Sequence, residues 1–353
     1  MAGSGIQNWL NYVDFKRLKT LAGFRDIYIW GACEQSAYIA DACERHEIAV
    51  AGFVETKKAL EVYRDKTVIR ENELRSGLQF IIVPMKKELD QIVGILLEKK
   101  FLFNEDFIAV HNHYSINFSG GYYEDVYGNK IISKVYGESV CCKIEFKGYN
   151  NVVMLGSGIN FQDVEIFCWY GSTVKIEDGC RLIKTSVKCV ENSSLFIDKN
   201  CSFGNDCQFI SKSSLQIGKD CTIQCSGFIG ADYDSPISIG DDCMFSWPVY
   251  IRSNNSHALL DLVNEENTSV SKKHYVRIGN HVWIGQNVTV LFNTDIGDHA
   301  VIGAASLVNS VIPSNCIAAG NPARVIKENY SWARKAKITF EEFQELSMHI
   351  LRL

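Results

Sequence analysis

His281 and His299, eighteen residues apart, and thirteen cysteines are the side chains of this 353-residue chain that could gather a metal ion. Zinc-dependent hydration of carbon dioxide, the carbonic-anhydrase reaction, needs three converging histidines and an open position. No third histidine follows at a suitable spacing, so no metal is expected. The cysteines read as structural. Cys180, Cys201, Cys207, Cys221 and Cys243 each lie four residues after Ile176, Ile197, Phe203, Ile217 and Ile239, and no CxxC pair occurs. A free thiol at such a recurring place acts as a compact apolar filler. A third candidate is the loop Gly31-Ala-Cys-Glu-Gln-Ser36. Set against the dinucleotide pattern GxGxxG it keeps the first glycine and replaces the others with Cys33 and Ser36. A bound dinucleotide, a sugar-nucleotide or glycan end, and an architectural role all stay open for it.

The elements that would position these groups are of two kinds. Residues 26–30, 48–54, 79–83 and 107–110 are short apolar runs, and residues 36–46 and 87–99 have helical spacing between them. Strands alternating with helices predict a Rossmann-like α/β domain with a parallel sheet over residues 1–112. Its ligand would sit beyond the strand ends, near Gly31. Residues 113–143 read as a connecting β-hairpin segment turning at Gly128-Asn129. From 144 to 330 the period changes. Ile278, Ile284, Val290, Ile296, Ile302 and Val308 recur every six residues, with the small Val282, Val288, Ala300 and Ser306 four positions after the first, second, fourth and fifth of them. Six fits neither helix nor plain strand. It fits an all-β solenoid, a parallel β-helix whose triangular coil has three six-residue sides. Earlier coils run near 20 residues, and between Ile251 and Ile278 a long excursion leaves the prism. Long loops on rigid scaffolds commonly carry functional groups. In residues 331–353, Thr339-Phe-Glu-Glu342 forms a capping box ahead of Phe340, Phe343, Leu346 and Ile350, predicting a short C-terminal helix that caps the solenoid.

Bulk composition narrows the function classes. A net charge of −5 and pI near 5.9 give no reason to expect nucleic acid as partner. No apolar run reaches the roughly 18 residues of a membrane span, and the N-terminal residues do not read as a secretory signal. A cytoplasmic protein is expected.

Three blocks then carry a resemblance. Val276-Arg-Ile-Gly-Asn-His-Val-Trp-Ile-Gly285, Ile302-Gly-Ala-Ala-Ser306 and Ala319-Gly-Asn-Pro-Ala-Arg-Val-Ile326 resemble, in order and spacing, the left-handed β-helix acetyltransferases of the hexapeptide-repeat family. With Lys147-Gly-Tyr-Asn-Asn151 opening the domain, the pattern is most similar to bacterial cell-surface polysaccharide O-acetyltransferases. The resemblance covers about residues 144–330. It implies acetyl-CoA as co-substrate, a glycan or sugar-nucleotide acceptor, a homotrimer with sites between subunits, and acetyl transfer to a sugar hydroxyl of capsule, O-antigen or a similar glycan. N-acetylation of an aminosugar nucleotide is the alternative, followed by a non-catalytic scaffold.

The resemblance also assigns residues. Ser256-His257-Ala-Leu-Leu-Asp261 matches the family's catalytic segment, making His257 the general base, with Asp261 either orienting it or closing the loop. A sugar hydroxyl ionises far above pH 7, and histidine is suited to take its proton near neutrality. Trp283 corresponds to an outward indole beside acetyl-CoA. Gln286, Ala304 and Asn309 correspond to positions along the pantetheine arm, and Arg324 and Lys327 to the basic residues that meet the CoA phosphates.

Overall fold

The computed structural model describes residues 15–57, 59–84, 88–103, 105–109, 113–124, 128–136, 140–255, 260–261, 266–267 and 274–351. The described residues up to 114, with 128 and 147–149, form one compact unit; the others form a second.

The first unit is built on β1 (Asp26–Trp30), β2 (Val50–Glu55), β3 (Val62–Tyr63), β4 (Lys66–Arg70), β5 (Gln79–Val83) and β6 (Phe107–Ala109). They lie in the order β3-β4-β2-β1-β5-β6. All neighbours are parallel except β3 and β4. The central strands are apolar throughout because helices cover both faces: Ile29, Phe53, Phe80, Ile81 and Ile82 are all fully buried. Helix Leu89–Glu98 contributes Leu89, Ile92, Val93 and Leu96 to one side of this core. Helix Glu34–Arg45 starts two residues before the predicted 36, with Cys33 as its extended N-cap. Two further elements escaped the sequence reading: helix Phe15–Ala22 and the β3–β4 hairpin. The hairpin turns through Arg64 and Asp65 at φ 51° and 60° without the glycine that marks such turns.

The second unit is the solenoid, and its periodicity is the one the sequence carries. Strands of successive coils pair in parallel, side upon side. On one side Ile197, Ile217, Ile239, Ile278, Ile296 and Ile312 stack in register. On the next, Phe203, Ile223, Phe245, Ile284, Ile302 and Ala318 do so. On the third, Phe209, Ile229, Ile251, Val290 and Val308 follow. All point inward, none more than 4% exposed. Stacking begins earlier than residue 144. Strand Lys130–Tyr136, inside the expected connector, already pairs in parallel with Val152–Leu155, because Ile131 heads the inward series continued by Val153 and Val174. That strand also pairs antiparallel with Gly120–Glu124, as a hairpin requires; residues 125–127 of the turn lie outside the described residues.

The corners are closed by small buried side chains. Cys180, Cys201, Cys221 and Cys243 stack along one edge, each thiol donating to a carbonyl of the following coil: Asp198 (3.0 Å), Gly218 (3.1 Å), Gly240 (3.1 Å) and Gly279 (3.2 Å). Burial pushes the Cys207 thiol up to about 11. Small, enclosed thiols of this kind act as apolar corner fillers. The C-terminal helix Phe340–Leu351 opens with the predicted capping box, Thr339 N donating to Glu342 Oε2 (2.8 Å) and Glu342 N to Thr339 Oγ1 (3.2 Å). Phe340 and Phe343 stay 68% and 55% exposed, so this helix buries neither against the coil end.

Candidate active site

Several groups of residues matter here, and for those on the solenoid the coil sets where each points. Trp283 and Ile284 form one two-residue strand; with Ile284 inward, Trp283 must face out, and it is 36% exposed. Its indole Nε1 approaches Ser246 Oγ on the preceding coil at 3.4 Å. Gln286 and Ala304 follow at the next corner, on successive coils, where Ala305 N donates to Gln286 O (2.7 Å). Both are exposed. Trp283, Ser246, Gln286 and Ala304 therefore form one outward strip along the solenoid. Gly285 permits that close stacking, since a Cβ there would lie 2.7 Å from Ile302 O.

Asn309 does not join this strip directly. It lies one residue beyond the Val290–Val308 pair, on the following side and in line with Arg252. The strand after Gly320 turns back antiparallel as Ala323–Glu328, carrying Arg324 and Lys327 into solvent. Arg324 donates to Ala323 O (2.8 Å), and the Lys327 ammonium stands 5.0 Å from the Tyr330 ring.

The excursion leaves from the corner after Arg252, and its two ends are fixed. Ser253 is fully buried; its hydroxyl donates to Ser235 O (2.5 Å) and accepts from Asp232 N (3.0 Å). Asp232 faces Arg252 (3.4 Å) and Lys212 (3.2 Å). At the other end His274, 7% exposed, meets Asn293 Oδ1 through Nδ1 (3.2 Å) and lies against Phe292. His257 lies outside the described residues. Of Asp261 only the backbone is described, paired antiparallel with Glu266.

His281 and His299 occupy the same left-handed corner on successive coils, at φ 50° and 62°, with rings 5.3 Å apart. His281 is engaged at both nitrogens: Nδ1 faces Asp242 Oδ2 (2.6 Å) and Nε2 faces Trp332 O (2.9 Å). A backbone carbonyl only accepts, so Nε2 is the donor to Trp332 O. His299 differs. Its Nδ1 is buried and meets no partner among the described residues. Burial, and then the neighbouring His281, hold its imidazole below the ordinary histidine value. An unfolded chain would therefore bind a proton that the fold resists. Stability should fall as pH drops below the ordinary value of about 6.5. Asparagine suits the same left-handed corner, as at Asn200 and Asn315. His299→Asn is expected to lose less melting temperature than the parent between pH 7.5 and 5.5; equal losses would contradict this assignment.

Sequence reasoning missed the tail that crosses this corner. Trp332 stacks on His281 at 4.4 Å and 14°, donates from Nε1 to His281 O (2.7 Å), and lies 6.1 Å from the Trp283 ring. Arg334 reaches further down the edge. It donates to Asp242 Oδ1 (2.7 Å), Thr222 Oγ1 (3.0 Å) and the carbonyls of Asp220 (2.9 Å) and Cys243 (3.2 Å). The one available signal was a tryptophan and an arginine two apart, Trp332 and Arg334, in an otherwise plain tail.

In the first unit, a cleft of about 350 Å³ lies beyond the end of β1, lined by Trp30, Gly31, Cys33, Glu55, Lys57 and Glu88 among others. Glu55 is 7% exposed and accepts from the backbone of Ala32 (3.3 Å), Thr56 (3.0 Å) and Lys57 (2.9 Å). Its carboxylate thereby ties the Gly31 loop to the end of β2.

Comparison with known proteins agrees with the coil geometry. The family profile described as hexapeptide repeat of succinyl-transferase matches residues 275–310. A polysialic acid O-acetyltransferase of Neisseria meningitidis is 36% identical over 167 residues, covering 46% of this chain and 76% of that protein. One from Escherichia coli O1:K1 is 31% identical over 155 residues, covering 43% of this chain and 50% of its own length. This chain thus spans about half of that E. coli relative. The solved structure of the polySia-specific acetyltransferase NeuO aligns with a TM-score of 0.52 at 27% identity, over 60% of this chain and 91% of that one. The chain belongs to the hexapeptide-repeat acetyltransferases, with their left-handed β-helix. Among the described residues no helix is long and apolar enough to cross a membrane.

Proposed function

We propose that this protein transfers acetyl from acetyl-CoA to a hydroxyl of a sugar in a bacterial surface glycan, with polysialic acid or a related acidic polymer as the first acceptor to try. The observation that carries the reading is the exposed indole of Trp283, standing outward beside Ser246, Gln286 and Ala304 in a chain akin to polysialic acid O-acetyltransferases. An outward tryptophan beside a continuous strip suits a pantetheine arm, which offers methylenes to the ring and amide oxygens to the N–H. Arg324 and Lys327, exposed to solvent on the returning strand, suit the phosphates of coenzyme A.

In this mechanism His257 removes the proton of the acceptor hydroxyl as its oxygen attacks the thioester carbonyl. The tetrahedral intermediate collapses, the C–S bond breaks, and the departing sulfur takes up the proton from His257. No acyl-enzyme is needed, because base and both substrates meet directly. Asp261 either orients the imidazole or closes the loop.

The topology favours a site shared between copies. Trp283 stands on one side of the triangular coil, whereas the excursion bearing His257 leaves from the corner opposite that side. Packing side against side in a cytoplasmic homotrimer would set one copy's excursion beside the next copy's Trp283, so both are then used. The test is acetyl-CoA consumption against oligosialic acid and a panel of defined glycans and sugar nucleotides. Trp283→Ala is expected to raise KM for acetyl-CoA about tenfold, as loss of a buried aromatic contact of about 1.4 kcal/mol would. An unchanged KM would remove the indole from the donor site.

A further inference from the structure

Residues 328–335, starting from the last residue of the returning strand, cross three successive coils along one edge. Arg334 is bonded to Asp220 and Thr222 on the first coil and to Asp242 and Cys243 on the second, while Trp332 sits on His281 of the third. The contact between Trp332 and His281 is reciprocal. Each side chain donates to the other's backbone carbonyl, at 2.7 and 2.9 Å, while the rings stack. Trp332 is 8% exposed, and its ring lies 6.1 Å from that of Trp283, tilted by 48°.

Among the described residues Trp283 has little else to hold it. Its ring is over one third exposed, and its N–H makes one long contact to Ser246. An indole meant to receive a ligand binds more tightly if its rotamer is set beforehand, because the ordering cost then falls on folding rather than on binding. We propose that the strap formed by residues 328–335 is part of the donor site: Trp332 is a positioning residue that fixes the Trp283 indole, and Arg334 and His281 fasten the strap in place. This rests on the reading that Trp283 lines the coenzyme A groove. It also separates the tail's cations by role. Arg334 has its donors engaged by the solenoid edge, so it serves the strap, whereas Arg324 and Lys327 remain available to phosphates.

The experiment is calorimetric titration of the full chain with coenzyme A, using Trp283→Ala, Trp332→Ala, the double variant, Trp332→Phe and Arg334→Gln. Trp332→Ala is expected to weaken binding about fivefold to tenfold. The double variant should bind no more weakly than Trp283→Ala alone, since positioning has no value once the positioned ring is gone. Trp332→Phe, which keeps a ring on the imidazole, should recover most of the loss. Arg334→Gln frees the strap, giving up the guanidinium 5.6 Å from the Trp332 ring but leaving the rings themselves in place, and should weaken binding in the same direction, which covers the case that Trp332→Ala fails to fold. If Trp283→Ala weakens binding but Trp332→Ala and Arg334→Gln do not, the strap has no part in the site; if the two tryptophan effects simply add, Trp332 does not act through Trp283 and the positioning role is overturned. If Trp283→Ala itself binds coenzyme A like the parent, the donor-site reading fails first and the strap's role falls with it.

Discussion

Replacing His257 by alanine is expected to cut acetyl transfer at least about a hundredfold, with little change in KM for acetyl-CoA. The hydroxyl of a sugar is a poor nucleophile while it keeps its proton, and water is a weak substitute for a base held in place. The loss should fall on turnover because the base acts on the acceptor as the new bond forms and has no share in holding the donor. The fixed ends of the excursion, Ser253 buried against Ser235 and His274 against Asn293 and Phe292, give that loop a defined origin on the solenoid. His257 itself lies outside the described residues, so this prediction bears on a role implied by family likeness. Turnover within about twofold of the parent would assign the proton transfer to another group.

The second large effect is on stability. Phe203→Ala is expected to cost about 3–5 kcal/mol, read by chemical denaturation at fixed protein concentration. Phe203 and Phe209 are fully buried on one coil, with ring centres 4.8 Å apart, where the next coil has Ile223 and Ile229. The prism cannot shrink around the missing ring. Ser202 N and Gly204 N are tied to Cys221 O and Ile223 O on the following coil (2.9 Å each), and the same ladder continues above and below. A cavity that cannot relax puts the cost at the upper end of the range. Phe209→Ala should behave alike, and the double variant should lose less than the sum because the two rings share a contact. A loss below about 1 kcal/mol would mean that the coil collapses in a way its hydrogen bonding argues against.

The solenoid was legible because one local rule fixes it. Every sixth residue from Ile278 to Val308 points inward, and the same spacing recurs in Ile197, Phe203 and Phe209. The thiol corners could be read for the same reason: Cys180, Cys201, Cys221 and Cys243 each follow an inward residue by four. The outward direction of Trp283 followed as soon as Ile284 was placed inside. What the period does not encode was harder to read. Strand Lys130–Tyr136 joins the stack with one inward isoleucine and no repeat before it, so periodicity alone places the first coil too late. The β3–β4 turn uses Arg64 and Asp65 where glycine would have marked it. Arg334 meets Asp242 and Asp220 across 92 and 114 residues, and Trp332 meets His281 across 51. Nothing in a tail's local pattern says which coil it will cross. His281 shows the same limit from the other side. Its spacing from His299 correctly put the two rings on adjacent coils, but the partners that occupy its nitrogens come from the preceding coil and from the tail.

The most direct measurement is the mass and base lability of the product formed from acetyl-CoA and oligosialic acid, or whichever glycan of the panel supports turnover. An O-acetyl ester adds one acetyl mass and is lost in mild base, whereas an N-acetyl group survives it. A product that gains acetyl, loses it in mild base, and fails to form with His257→Ala is the predicted result. An acetyl group that resists base would make the enzyme an N-acetyltransferase, and unchanged product from His257→Ala would contradict the mechanism.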